Sequence, residues 1–197
     1  MKGSQVRSLI SKSYLKLQRE LHSREKAYGI SSGQRGAEVA ALIKNFQATS
    51  VLDYGCGKGL LFKELAKHID IGRMTLREYD PAIEGKDERP EGQYDLVVCT
   101  DVMEHIEGEF IDSVISDLKN LTRKALFVNV ACYPAKKVLD DGRNAHISAY
   151  DPNQWLHWFL DAGFDPMFWR VGKAEGGEEA TGLLRSYVPM ERLDGAT

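Results

Sequence analysis

The chain has 197 residues, 43% of them hydrophobic and 28% charged, with a net charge of −3. That is one domain's worth of chain with enough apolar residues to bury a core, and the charge excludes a polycation built to coat nucleic acid or an anionic membrane. Three scattered cysteines, Cys56, Cys99 and Cys132, lack any CxxC spacing, and no stretch approaches 18 apolar residues, so a reduced, cytoplasmic protein with no membrane partner is expected.

Residues 5–24 repeat apolar positions at helical spacing (Val6, Leu9, Ile10, Leu17, Leu21) with basic residues between them. Residues 28–33 read as a loop around Gly29 and Gly33, and 35–46 as a second helix with Val39, Leu42, Ile43 and Phe46 on one face. A strand is expected at 50–54, a helix at 59–68, a strand at 74–79 ending before Asp80, and a further strand at 94–100. A helix at 108–121 and a strand at 125–130 follow, and then 131–150 shows little pattern. Asp151-Pro152 has the chemistry of an N-cap and first helical residue, Trp155, Leu156, Trp158, Phe159 and Ala162 supply an apolar face, and Gly163 supplies a stop. Segments 166–171 and 183–188 are expected to form an antiparallel hairpin across a loop at 172–182. Residues 1–48 are taken as N-terminal helices packing on a core, and 49–197 as the ligand-binding domain, together one compact unit.

Strands alternating with helices imply an α/β fold with a mostly parallel sheet covered on both faces. Only thirteen residues separate Asp80 from Tyr94, and a parallel crossover needs about a dozen or more for each unit. The sheet is therefore expected to be shortened between its second strand and the strand at 94–100.

One stretch carries most of the functional information: Val51-Leu52-Asp53-Tyr54-Gly55-Cys56-Gly57-Lys58-Gly59. A short apolar run meets an acid, and glycines then fall at every second position, where a tight turn lets backbone approach a ligand closely. These residues resemble motif I of the class I S-adenosylmethionine (SAM) methyltransferases, (V/I)LDxGCGxG. The resemblance implies a Rossmann-like, three-layer sandwich whose last strands form an antiparallel hairpin. It also implies SAM as cofactor, held at the carboxyl ends of the strands. Asp53, Tyr54, Gly55, Cys56, Gly57 and Gly59 would surround its methionine part, and Asp80 would accept its ribose hydroxyls, with Glu78 as the competitor if the strand register shifts.

A second constellation, Tyr94-Asp95 through Asp101-Val102-Met103-Glu104-His105, resembles motif IV of the same family. If a helical turn begins at Asp101, then Asp101, Glu104 and His105 share one face. With His146 from the unpatterned segment, these four make either a divalent metal site (Mg, Mn or Zn) or a metal-free acid/base cluster. The set is similar to the metal ligands of the small-RNA 3′-end 2′-O-methyltransferases, with Asp101 in place of a Glu; the quinone-pathway O-methyltransferases also carry the Glu-His pair. Glu104, His105 and His146 are the catalytic candidates, and Asp101 is a cofactor-binding candidate as well. His22, His68 and His157 are read as surface or packing residues.

The expected activity is SAM-dependent methylation of an oxygen or nitrogen on a small molecule such as a sugar or nucleotide. Two alternatives stay open: a nucleic-acid acceptor, because residues 1–26 hold seven Lys or Arg against Glu20 and Glu25, and a non-catalytic SAM-binding protein.

Overall fold

A computed structural model describes residues 8–26 and 28–186. The N-terminal start of the expected first helix (residues 5–7) and the end of the expected last strand (187–188) lie outside the described residues. Helix α1 spans Lys12–Arg24, and its N-cap is Ser11, whose hydroxyl oxygen accepts the Tyr14 N–H at 3.1 Å. A 3-10 turn at Ser31–Arg35 leads into α2, Gly36–Phe46, which closes on Gln47 in the left-handed conformation (φ 47°) with its N–H returned to Ile43.

Six strands then make one sheet: β1 Ser50–Tyr54, β2 Thr75–Tyr79, β3 Tyr94–Thr100, β4 Thr122–Ala131, β5 Phe164–Ala174 and β6 Gly177–Ser186. Their order is β2-β1-β3-β4-β6-β5; the first four run parallel, while β6 is antiparallel to both β4 and β5. Every residue of β3 is buried, which is why that strand reads as a continuous apolar run.

Two layers of helices cover the sheet. On one face α2 and α3 (Leu61–Leu65) bury Val39, Ile43, Leu61 and Leu65 against Val51, Leu96, Val98 and Phe127. On the other, α4 (Ile111–Leu121) and α5 (Pro152–Asp161) bury Ile115, Leu118, Trp155 and Phe159 against Leu52, Val97, Leu126 and Val128. Each such large side chain contributes about 1.5–3 kcal/mol of burial. Helix α1 packs instead on the 131–150 segment, with Tyr14 and Leu21 against Leu139 and Ala145. Among the described residues, no helix is long and apolar enough to cross a membrane.

Three expectations need correction. The helix expected at 59–68 is α-helical only over Leu61–Leu65, because Gly59 holds φ +71°; beyond Leu65 the chain tightens, Lys67 N–H bonding Glu64 O and His68 N–H bonding Leu65 O. The helix expected from 108 begins as a 3-10 turn, Gly108–Phe110, and becomes α only at Ile111. The loop expected at 172–182 is mostly strand: the ladder continues through Lys173↔Glu178 to Ala174↔Gly177, leaving Glu175-Gly176 as the turn.

The shortened crossover is as expected. Residues 81–93 contain no strand or helix, so β2 forms the sheet edge. Polar anchors hold this segment in place. Asp80 N–H bonds Lys86 O at 2.9 Å, Lys86 pairs with Glu78 at 2.8 Å, and Arg89 reaches the buried carboxylate of Asp117 on α4.

Candidate functional site

The carboxyl ends of β1 to β4 deliver Tyr54, Tyr79, Thr100 and Ala131 to the floor of a cavity of about 580 Å³. That lies inside the roughly 300–1,000 Å³ of small-molecule sites. Its roof is α1 together with segments 28–34 and 131–146.

Gly55, Cys56 and Gly57 line the floor. Their freedom from side chains serves the protein's own packing. A Cβ on Gly55 (φ +73°) would run into Val102, and one on Gly57 (φ +51°) would fall 2.5 Å from Gly29 O. The segment after α1 is thereby pressed onto the turn, and Lys58 N–H donates to Gly29 O at 2.7 Å. Gly59 does not reach the cavity; Glu78 and Lys86 occupy the space beside it.

Asp80 is the acid at the strand end, as expected, whereas Glu78 turns away to Lys86. The Asp80 carboxylate accepts the Gly57 N–H and the Ala82 N–H, both at 2.9 Å, which binds the two strand ends into one floor. Asp53 is buried beneath that floor and is not part of the cavity wall. Burial, followed by the Glu78 carboxylate, pushes its carboxyl up to about 8, against the opposing pull of the Ser32 hydroxyl. Tyr54 reaches the wall, but its hydroxyl is spent on Asp117 at 3.0 Å. Cys56 is buried, and burial also raises its thiol well above the ordinary value, so it is inert packing.

At the other end of the cavity stand Glu104, His105 and His146, whose ligating atoms lie within 4.8 Å of one another. Asp101 is outside this cluster. Its backbone is left-handed (φ +54°) and the 3-10 turn begins only at Met103, so the shared helical face expected for Asp101, Glu104 and His105 does not form. Asp101 still lines the cavity; burial raises its carboxyl, and the Ser31 hydroxyl opposes that shift.

His105 Nδ1 lies 2.7 Å from Ala145 O and His146 Nδ1 lies 2.6 Å from Tyr133 O. A carbonyl oxygen only accepts, so each ring donates from Nδ1 and keeps Nε2 as its lone-pair nitrogen. Burial, then His146, hold His105 down to about 3. Glu104 is fully buried; one carboxyl oxygen accepts the Ala131 N–H at 3.2 Å and the other has no partner. Burial, then Asp101, raise its carboxyl well above the usual range.

Among the cavity residues that sequence reasoning did not place in the site are Tyr14, Gln18 and Thr100, and His22, read there as a surface or packing residue. Tyr14, Gln18 and His22 had a signal, since they recur at i, i+4 and i+8 on α1 beside the apolar Leu17 and Leu21. Thr100 ends a strand in which every residue is apolar or buried, and nothing in the pattern marks its hydroxyl.

The chain matches the family described as Methyltransferase domain over residues 22–167. It belongs to that family of methyltransferase domains. A ubiquinone biosynthesis O-methyltransferase of Psychrobacter arcticus is 25% identical over 58% of this chain and 58% of its own. The mitochondrial ubiquinone biosynthesis O-methyltransferase of Saccharomyces cerevisiae is 35% identical over 29% of this chain and 25% of its own. The chain thus spans 58% or less of the length of these relatives. A solved structure of Burkholderia thailandensis 1,6-didemethyltoxoflavin-N1-methyltransferase, with its substrate and S-adenosylhomocysteine bound, superposes with a TM-score of 0.61 at 12% identity, covering 88% of each chain. That likeness is one of fold.

Proposed function

We propose that this chain transfers the methyl group of SAM to an oxygen of a small molecule, with His146 taking the acceptor's proton. The observation that carries the reading is the pair His105 and His146, both pinned at Nδ1 and both lining the cavity whose other end is the glycine turn.

The cavity suits SAM in volume and chemistry. Asp80 sits at the strand end with lone pairs to offer hydroxyls, and the hydroxyl of Thr100 is buried there without a partner in the protein. Gly55, Gly57, Asp80, Ser32 and Thr100 would hold the cofactor. When bound, SAM supplies a methyl group already activated on a sulfonium. The chain's tasks are to align the acceptor and to remove one proton from it. His105 stays neutral because of its burial, and a charge on one imidazole opposes a charge on the other. His146 is therefore the base, and His105 holds its place beside it.

The relatives named as O-methyltransferases support oxygen as the acceptor atom. Three of the four cations of α1 sit in ion pairs, which weakens the case for a nucleic-acid acceptor: Lys16 with Glu20 at 3.8 Å, Arg19 with Asp87 at 3.5 Å, and Arg24 with Asp140. A second reading rests on the same cluster, in which a divalent cation held by Glu104, His105 and His146 lowers the acceptor's pKa. The burial that raises the Glu104 carboxyl works against that ligation. Elemental analysis of the purified chain, and activity with and without a chelator, separate the two readings.

Calorimetric titration with S-adenosylhomocysteine, followed by an acceptor screen with labelled SAM, tests the main reading. Binding and label transfer to a small hydroxyl compound are expected. Failure to bind would sink the reading.

A further inference from the structure

The cavity face of α1 carries a stripe of three polar side chains, Tyr14, Gln18 and His22, one turn apart. Tyr14 Oη, Gln18 Nε2 and His22 Nδ1 are buried without a well-formed hydrogen bond, and the Gln18 amide is near enough to the Tyr14 phenol to pull on it. Tyr14 is 1% exposed and Gln18 6%. A buried polar atom left unpaired costs about 1–3 kcal/mol, so a stripe of three invites a ligand's hydrogen bonds.

The neighbours of the stripe assign its parts. His22 stands over Gly29, against the glycine turn, and feels the charge of Asp80. Gln18 accepts the Tyr28 hydroxyl proton through Oε1 at 2.8 Å, and Tyr28 Oη in turn stands 3.4 Å from His105 Nδ1. Tyr14 packs with Ala145, whose carbonyl holds His105. Tyr14 and Gln18 thus face the end of the cavity occupied by the histidines, and His22 faces the end floored by Asp80.

We infer that Tyr14 and Gln18 bind the methyl acceptor, and that the acceptor is a neutral molecule with an apolar body and an oxygen that accepts hydrogen bonds beside the one methylated. This rests on the methyl-transfer reading above. Gln18 has its carbonyl engaged and only its amide N–H groups to give. Burial raises the Tyr14 phenol well above its ordinary value, so it is a firm O–H donor. Two donors side by side ask for an accepting oxygen. Ile10, Val102, Ile106 and Val114 supply apolar wall along the same cavity. Neutrality follows from the cations at the rim, which already have partners: Lys136 with Glu175 at 2.8 Å, Lys137 with Glu25 at 4.0 Å and Arg143 with Asp141 at 2.7 Å. A phosphate-bearing acceptor would find no unpartnered cation among these three.

The test uses the full chain, labelled SAM, and a panel of catechol, hydroquinone and a nucleoside monophosphate as acceptors. Tyr14→Phe removes only the phenol oxygen, and Gln18→Glu keeps an oxygen for Tyr28 while removing the donor. Each variant should raise KM for the turned-over ring compound about tenfold, leave the Kd for S-adenosylhomocysteine within about twofold, and melt like the parent. An equal loss of S-adenosylhomocysteine affinity would assign the stripe to the cofactor and overturn the proposal. Unchanged KM overturns it too, as does turnover of the nucleotide alone or of no panel member by a parent chain that binds S-adenosylhomocysteine. A parent that fails to bind S-adenosylhomocysteine would instead refute the methyl-transfer reading itself.

Discussion

His105 and His146 meet edge to face, with ring centroids 4.9 Å apart and planes at 79°, and each lends its Nδ1 proton to a main-chain carbonyl. The backbone, and no carboxylate, orients both rings. Each ring therefore keeps its Nε2 lone pair free to take a proton.

From this follows the first prediction. His146→Ala should lower kcat about 100-fold, within the range for losing a general base, and leave the affinity for S-adenosylhomocysteine within about twofold. Steady-state kinetics with calorimetry check it. Full activity in both His146→Ala and His105→Ala would remove the histidines from the mechanism.

Gly57→Ala tests the floor. The new Cβ would approach Gly29 O to 2.5 Å, in a backbone conformation (φ +51°) that costs a non-glycine residue about 1 kcal/mol. Because the obstacle is main chain, segment 28–33 has to lift from the turn. A loss of at least about tenfold in S-adenosylhomocysteine affinity is expected, read by calorimetry.

Asp53 gives a pH signature. Its carboxyl is raised from 3.8 to about 8, so the folded chain holds the proton more tightly than the unfolded one. The stability this confers is complete below about pH 4 and is lost as pH rises through 8, at no more than about 1.4 kcal/mol per pH unit. Asp53→Asn should therefore gain stability relative to the parent steadily between pH 5 and about 8. Urea melts of both chains across that window measure the difference; a constant gap would show that Asp53 does not titrate there.

Arg89→Ala probes the short crossover. Asp117 is buried, and it keeps only the Tyr54 hydroxyl once Arg89 is gone. Since Arg89 itself is partly exposed, the expected cost is about 1–3 kcal/mol, less than for a fully buried pair. Chemical denaturation reports it.

The sheet was legible in the sequence where burial is two-sided. The segment at 50–54 and the one at 94–100 are continuous apolar runs because helices cover both faces, and the thirteen-residue gap after Asp80 announced the lost crossover. The hairpin was illegible at its far end. Most of β5 is exposed and its partner carries Gly177, Glu178 and Glu179, so no alternation marks the strands and only the backbone ladder extends them. In the site, Asp80 was expected from its strand end, Glu104 and His105 from motif spacing and His146 from the unpatterned segment, but the separation of Asp101 was not expected, since a left-handed residue leaves no trace in a period count. The polar stripe of α1 shows its helical spacing in sequence, but Tyr14, Gln18 and His22 there look like the wet side of an amphipathic helix.

The roof over the cavity is tied down by groups far apart along the chain. Ser11 donates through its backbone N–H and its hydroxyl to Glu107, both at 2.8 Å, and Lys58 grips the carbonyls of Glu25 and Lys26 at 2.7 and 2.6 Å. Such ties close long loops, whose entropy is recovered only after the sheet has assembled. The roof is thus held to the sheet by a few polar ties between segments distant in sequence. A molecule lodged between the two acts as a splint, fastening the beginning of the chain to its middle, so that occupancy of the cavity and order in the first helix rise and fall together.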